Sequence, residues 1–317
     1  MSMLARTADD LFWLSRYMER AENMARMVEV GYRIALMPRD VAEYRAEWRS
    51  TLVSAACEAG FDLKHDELTT ENVVDYLLLD PENPSSVYSC LATARNKARS
   101  VRTALTREMW ESLNSTWIEL SDVRPRNLSP TTLPSFLEWV KQRSQMFRGA
   151  LLSTSLRSEF FWFNQLGAFI ERADNTARIL DVKYYILLPE QQAVGGGVDN
   201  YQWTTILRSV SAHRSYNWMY REPYRPWRIA EFLILCKEMP RSLAFCYNQV
   251  QASLGSLERA YSARHMCHDV ADEIAAKVHG GSIDQIFQSG LHEFVLDFIR
   301  SNNRLANEIS KAYNFAN

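Results

Sequence analysis

The apolar positions of this chain recur at intervals of three and four through long segments rich in Ala, Leu, Arg, Glu and Met. Nowhere do they alternate with polar positions in the sustained way of a strand. Glycine and proline, 11 and 10 in number, gather at Gly60, Pro81 to Pro84, Pro125 to Pro134, Pro189 to Gly197 and Pro223 to Pro226, which are expected to be loops between helices. The pattern predicts an all-α fold. Thr7-Ala8-Asp9-Asp10 has the form of a capping box, a Thr followed three positions on by an acid just before an apolar run. A first long helix is therefore expected from about Ala8 to the mid-thirties, stopped by Pro38. A second is expected from near Ser158 to before Pro189.

These two helices carry the same sentence. Residues 14–27 read LSRYMERAENMARM and residues 166–179 read LGAFIERADNTARI, with seven of fourteen positions identical at an offset of 152. The repetition continues. Trp48-x-Ser50-x-Leu52-x-Ser54 returns as Trp203-x-Thr205-x-Leu207-x-Ser209. Asp75-Tyr76-Leu77-Leu78-Leu79, with Pro84-x-Ser86 and Cys90, returns as Glu231-Phe232-Leu233-Ile234-Leu235, with Pro240-x-Ser242 and Cys246. Three blocks in the same order predict two homologous helical halves, about 1–150 and 151–317, related by a pseudo-twofold axis. A single merged domain over 1–317 is expected. The Pro-rich stretch 124–134 lies inside the first half, and the junction 151–158 has neither Pro nor Gly.

On a helix with about 100° per residue, Glu19, Glu22, Asn23 and Arg26 share one narrow polar stripe, with Arg20 at its border. Leu14, Tyr17, Met18, Ala21 and Ala25 form the opposite, apolar face. The second copy repeats this with Glu171, Asp174, Asn175 and Arg178, and with Arg172 at the border. A stripe facing water alone would drift after duplication, as Arg16 to Ala168 and Met24 to Thr176 have done, but Glu, Asn and Arg have not.

Two readings of the stripe stand open. In one, Glu22 with Arg26 and Asp174 with Arg178 make i,i+4 pairs, while Glu19 and Glu171 reach across to the other copy's arginine in a buried network. In the other, Glu19, Arg20, Asn23, Arg26, Glu171, Arg172, Asn175 and Arg178 form a ligand site between the helices. There the arginines would clamp a carboxylate or phosphate, and Glu19 or Glu171 would serve as acid or base. No metal is expected, since Glu19-x-x-Glu22 and Glu171-x-x-Asp174 lack the histidine of di-metal bundles and share their stripe with an arginine.

Composition narrows the class further. At 317 residues and 47% hydrophobic the chain can bury a large core, and a net charge of -2 with no dense basic run argues against nucleic acid as a partner. Five scattered cysteines without a C-x-x-C pair and an N-terminus lacking an apolar run point to a cytoplasmic protein with reduced thiols. No apolar stretch reaches membrane-span length. His265-Met-Cys267-His268-Asp269 lacks further ligands at zinc spacing and reads as a helix face. Arg95, Arg99 and Arg102 read as a solvated face, His213 as a core histidine, and Gly195-Gly196-Gly197 as a loop. The usual nucleotide and hydrolase motifs are absent, so no cofactor is predicted.

The two Glu-Arg blocks, together with ARNKARSVRTALTREMWESLN at 94–114 and EFLILCKEMPRSL at 231–243, resemble the bacterial alpha-E family over essentially the whole chain. The resemblance implies an all-helical protein encoded beside, or fused to, a circularly permuted ATP-grasp protein, often with a transglutaminase-like peptidase nearby. That setting implies ATP-dependent amide ligation in the synthesis or modification of a peptide. The expected role is an accessory or binding subunit of the ligase, with a peptide or small carboxylate as possible ligand. An enzyme acting on the peptide through Glu19 or Glu171, and a purely structural scaffold, are the alternatives.

Overall fold

The computed structural model describes the backbone of residues 3–36, 41–123, 128–186, 197–222 and 224–315. Among these, every regular element is helical. The first half holds α1 (Ala5–Ala35), α2 (Val41–Ser54), α3 (Glu58–Asp62), α4 (Thr70–Leu78), α5 (Val87–Ser100), α6 (Arg107–Val123) and α7 (Leu133–Thr154), with a 3-10 turn over Arg102–Ala104. The second holds α8 (Glu159–Ile186), α9 (Gly197–Ser209), α10 (His213–Tyr220), α11 (Pro226–Leu235), α12 (Leu243–Tyr261), α13 (Met266–Gly280), α14 (Ile283–Ser289) and α15 (Leu291–Ala312).

Helix α1 begins earlier than its capping-box sequence suggests. Leu4 is the cap residue and no side chain caps it. Asp9 and Asp10 are instead buried and paired with Lys97 of α5, at 3.0 and 2.7 Å, so a tertiary ion pair has taken the acids that the local pattern assigns to capping. Gly60 lies within the short α3 rather than in a loop. Pro134 and Pro226 sit in the first turns of α7 and α11, where a missing N–H costs nothing. Pro38, Pro125, Pro189, Gly195, Gly196 and Pro223 fall outside the described residues.

The repeated Pro-x-Ser block has a local purpose. Ser86 Oγ accepts from Ser89 N at 3.1 Å and Ser242 Oγ from Phe245 N at 3.0 Å, capping α5 and α12 in turn. The residue before each cap, Ser85 or Arg241, is thereby fixed beside the long motif helices.

Helix α1 packs chiefly on α8 and α5, and α8 chiefly on α1 and α12, so both are enclosed on nearly all sides. Where α1 and α8 pack together at Gly167, an added Cβ would overlap the Phe12 carbonyl oxygen. Two apolar cores flank the pair. One gathers Leu14, Met18, Trp48, Leu77, Cys90 and Phe147; the other gathers Phe12, Leu166, Ile170, Trp203, Phe232 and Tyr247. The polar stripes of α1 and α8 meet in the seam between them.

Candidate functional site

In that seam the motif side chains of one helix are answered by those of the other. Arg172 of α8 donates from Nε and Nη2 to both oxygens of Glu19 on α1, at 2.9 and 3.0 Å. Arg20 of α1 donates likewise to both oxygens of Glu171 on α8, at 2.5 and 3.1 Å. The i,i+4 pairs are present as well, Arg26 to Glu22 at 2.6 Å and Arg178 to Asp174 at 2.5 Å. The next guanidinium nitrogen in each pair turns to a backbone carbonyl in the other half: Arg26 Nη1 to Ser209 O, and Arg178 Nη1 to Ser54 O at 3.1 Å.

Three arginines outside the predicted set complete the seam. Arg16 donates to Glu171 at 2.8 Å. Arg148 of α7 bridges Glu19 and Glu22 at 2.7 and 2.6 Å. Arg241, before the cap of α12, contacts Glu22 and lies 3.2 Å from Glu19. Sequence offered a weak signal for Arg241, which sits inside a repeated block, and none for Arg148. Arg16 is discounted by the drift to Ala168 because only one copy keeps it. In these ion pairs, among the described residues, four carboxylates face seven guanidinium groups, so positive charge is in excess among them.

The electrostatic consequences follow. Burial opposes ionisation of Glu19 and Glu171, yet the arginines overrule it: Arg172, Arg148 and Arg241 bring Glu19 down to about 2, and Arg20 and Arg16 bring Glu171 down to about 2. Glu22 is also held well below the usual carboxylate range, against burial, by Arg241, Arg148 and Arg26. Arg241 shows the reverse strain, since burial first, and then Arg26 and Arg172, lower it to about 10.

Two cavities open along the seam. One, of about 180 Å³, is walled by Arg20, Asn23, Glu171, Asp174, Asn175 and Arg178, with Ala55, Ala56 and Ser85 opposite. The other, of about 270 Å³, is walled by Glu19, Arg148 and Arg172 among apolar groups including Phe147, Ala168 and Phe169. Seven of the eight side chains proposed from sequence for a ligand site therefore reach a cavity wall. Arg26 reaches neither wall; it is enclosed by Glu22, Ser209 and Ser211.

The remaining candidates resolve into structure. His268 is buried, its ring bonded to the Leu254 carbonyl at 3.2 Å and back to His265 at the start of α13. His213 meets the Tyr224 hydroxyl at 2.7 Å and is half-buried rather than in the core. Arg95 donates to Asn114, and Arg102 stacks over Trp110. Among the described residues no group of three His, Cys, Asp or Glu converges, and no helix is long and apolar enough to cross a membrane.

The fold and seam thus define an all-helical protein whose signature is a pair of Glu-Arg helices interlocked through their charged stripes. Residues 3–313 match the Alpha-E family, described as a predicted alpha-helical domain with a conserved ER motif, and the chain belongs to that family. No curated protein and no solved structure matches it.

Proposed function

We propose that the protein is a non-catalytic binding subunit that works with a circularly permuted ATP-grasp amide ligase in the synthesis or modification of a peptide. The observation that carries the non-catalytic part is the state of Glu19 and Glu171. Each is gripped by two or more guanidinium groups and stays ionised down to about 2, whereas a general acid or base is effective with a pKa near the operating pH. This weighs against an enzyme that uses these glutamates on the peptide product. A pure scaffold accounts for the ion pairs, but it leaves unexplained why motif side chains wall two cavities. The ligase partner, a transglutaminase-like peptidase alongside it, and a bacterial, cytoplasmic setting rest on the family membership and its known surroundings. We also read the halves as pseudo-twofold related and fused into one domain; the reciprocal Arg172 to Glu19 and Arg20 to Glu171 pairs support this.

Size-exclusion chromatography of the chain mixed at micromolar concentration with the ATP-grasp protein encoded beside it tests the proposal. Co-elution as a stoichiometric complex is expected. Separate elution with the ligase's substrates present would overturn the partnership, and turnover of the peptide by the isolated chain, lost in Glu171→Gln, would overturn its non-catalytic character.

A further inference from the structure

The two motif copies carry the same asparagine, and its surroundings differ between them. Asn23 also borders the 180 Å³ cavity, but both atoms of its amide have partners. Arg241 Nη1 lies 3.5 Å from Asn23 Oδ1, Arg241 Nη2 contacts Glu22, Asn23 Nδ2 donates to the Glu171 carbonyl at 3.2 Å, and Ser211 Oγ meets Arg26 at 3.1 Å. The positions that correspond to Arg241 and Ser211 in the first half, set by the Pro-x-Ser and Trp-x-Ser/Thr blocks, are Ser85 and Ala56. Both line the 180 Å³ cavity, so two truncations have opened on one side what is filled on the other. Asn175, 3% exposed, is left with no hydrogen-bond partner for either atom of its amide, and Asp174 Oδ1 is equally buried and unpartnered. Buried polar groups in this state are rare in folded proteins and call for an explanation.

We propose that this cavity binds one free α-amino acid as its zwitterion, with the carboxylate against Arg20 and Arg178 and the ammonium against Asp174 and the Asn175 amide oxygen. The lining supplies two guanidinium groups and two carboxylates, which matches a ligand that carries one charge of each sign. A bare cation would repeat the placement of Arg241, in a seam that already holds excess positive charge. A bare anion would leave Asp174 Oδ1 unanswered. The volume is well below the few hundred Å³ of drug-sized sites, which excludes a nucleotide or a long peptide. Met24, Met27 and Ala55 offer an apolar wall to the ligand's side chain. The inference rests on reading the protein as a binding subunit and is independent of which ligase it meets.

The test uses the isolated full chain. The standard L-amino acids are screened by thermal shift, and the best is titrated by calorimetry beside its analogues lacking the α-amino or the α-carboxyl group. One-to-one binding is expected, weakened at least tenfold by removal of either group and at least tenfold in Asn175→Ala. In Ser85→Arg, which restores a guanidinium where Arg241 stands in the other copy, binding should be lost while the thermal midpoint holds. Should Ser85→Arg fail to fold, Asn175→Ala decides. No amino acid binding at millimolar concentration, equal affinity for either analogue, or binding indifferent to the variants would each overturn the proposal. Complex formation with the ligase is scored separately, so failure of one reading is distinguishable from failure of the other.

Discussion

Arg172 and Glu19 meet through two parallel hydrogen bonds, Nε to Oε1 at 2.9 Å and Nη2 to Oε2 at 3.0 Å, across the boundary between the two halves of the chain. Because Arg20 engages Glu171 in return, each Glu-Arg dipeptide supplies the acid of one pair and the base of the other. Changing either arginine takes a two-bonded partner from a buried glutamate, and changing either glutamate takes the shared acid from two or more arginines. That mutual dependence gives a physical reason for both blocks to carry the dipeptide although Arg16 and Ala168, or Met24 and Thr176, differ between them.

Glu19→Gln should be strongly destabilising, by about 3–5 kcal/mol, since it leaves Arg172, Arg148 and Arg241 facing a neutral amide inside the seam. Glu171→Gln should cost less, because it strands two arginines, not three, and one of them, Arg20, keeps 27% of its side chain in contact with solvent. Urea unfolding of the two variants against wild type gives the ranking. A Glu19→Gln protein within 1 kcal/mol of wild type, an amount that surface changes commonly reach, would mean that water relieves the arginines.

The helical class, the two long motif helices and the polar stripe were legible in the sequence, because periodicity and repetition report directly on a helix face buried along its length. The start of α1 was not. A capping box is a local signal, and Asp9 and Asp10 serve Lys97, which is distant in sequence. Of the seam's arginines, Arg148 escaped notice because only tertiary packing brings α7 to the motif. The cavities were illegible for a related reason. The smaller one is lined by Ser85 and Ala56, which stand where the second half has Arg241 and Ser211, and the meaning of that difference needs the fold.

Acid should unfold the protein through these carboxylates. Glu19 and Glu171 titrate near 4.5 when unpaired and at about 2 in the fold, so the unfolded chain binds their protons first as pH falls. Their contribution is complete above about pH 4.5 and is lost as pH drops from there through about 2. Each carboxylate accounts for on the order of 3 kcal/mol over that window. Urea midpoints measured from pH 6 down to pH 2.5 should fall steeply below 4.5. A Glu19→Gln, Glu171→Gln protein stable enough to measure should show a shallower decline; an equal slope would assign the acid sensitivity elsewhere.

Gly167→Ala should destabilise by about 1–3 kcal/mol even though alanine is the better helix former, because the added methyl overlaps the Phe12 carbonyl and wedges α1 from α8. Thermal unfolding reads this directly. A raised midpoint would show that the helices separate at no cost.

Thiol reactivity should sort the cysteines. Burial pushes Cys90 and Cys246 up to about 12, and Cys57 and Cys267 are also buried, while Cys236 is partly exposed. Native protein treated with a chromogenic disulfide should release about one equivalent quickly, from Cys236, with the rest appearing only in denaturant. Loss of the fast phase in Cys236→Ser confirms the assignment; its persistence refutes it.

Arg241→Met separates the two sides of the charge imbalance. Arg241 is the guanidinium that the seam tolerates least, lowered to about 10 by burial and by Arg26 and Arg172 despite its contact with Glu22. Without it Glu22 still has Arg26 and Arg148, at 2.6 Å each, and Glu19 still has Arg172 and Arg148. Methionine restores much of the lost apolar bulk, so the change should cost no more than about 1 kcal/mol. Glu22→Gln takes from Arg26 its carboxylate and leaves Arg148 and Arg241 to share Glu19 alone, and it should cost about 3–5 kcal/mol. Equal losses in the two variants would mean that Arg241 is held for its own hydrogen bonds to the motif, so that no surplus of charge exists to be relieved. A small loss in Arg241→Met beside a large one in Glu22→Gln would establish that the seam is over-supplied with positive charge, and that it can spare a guanidinium but not a carboxylate.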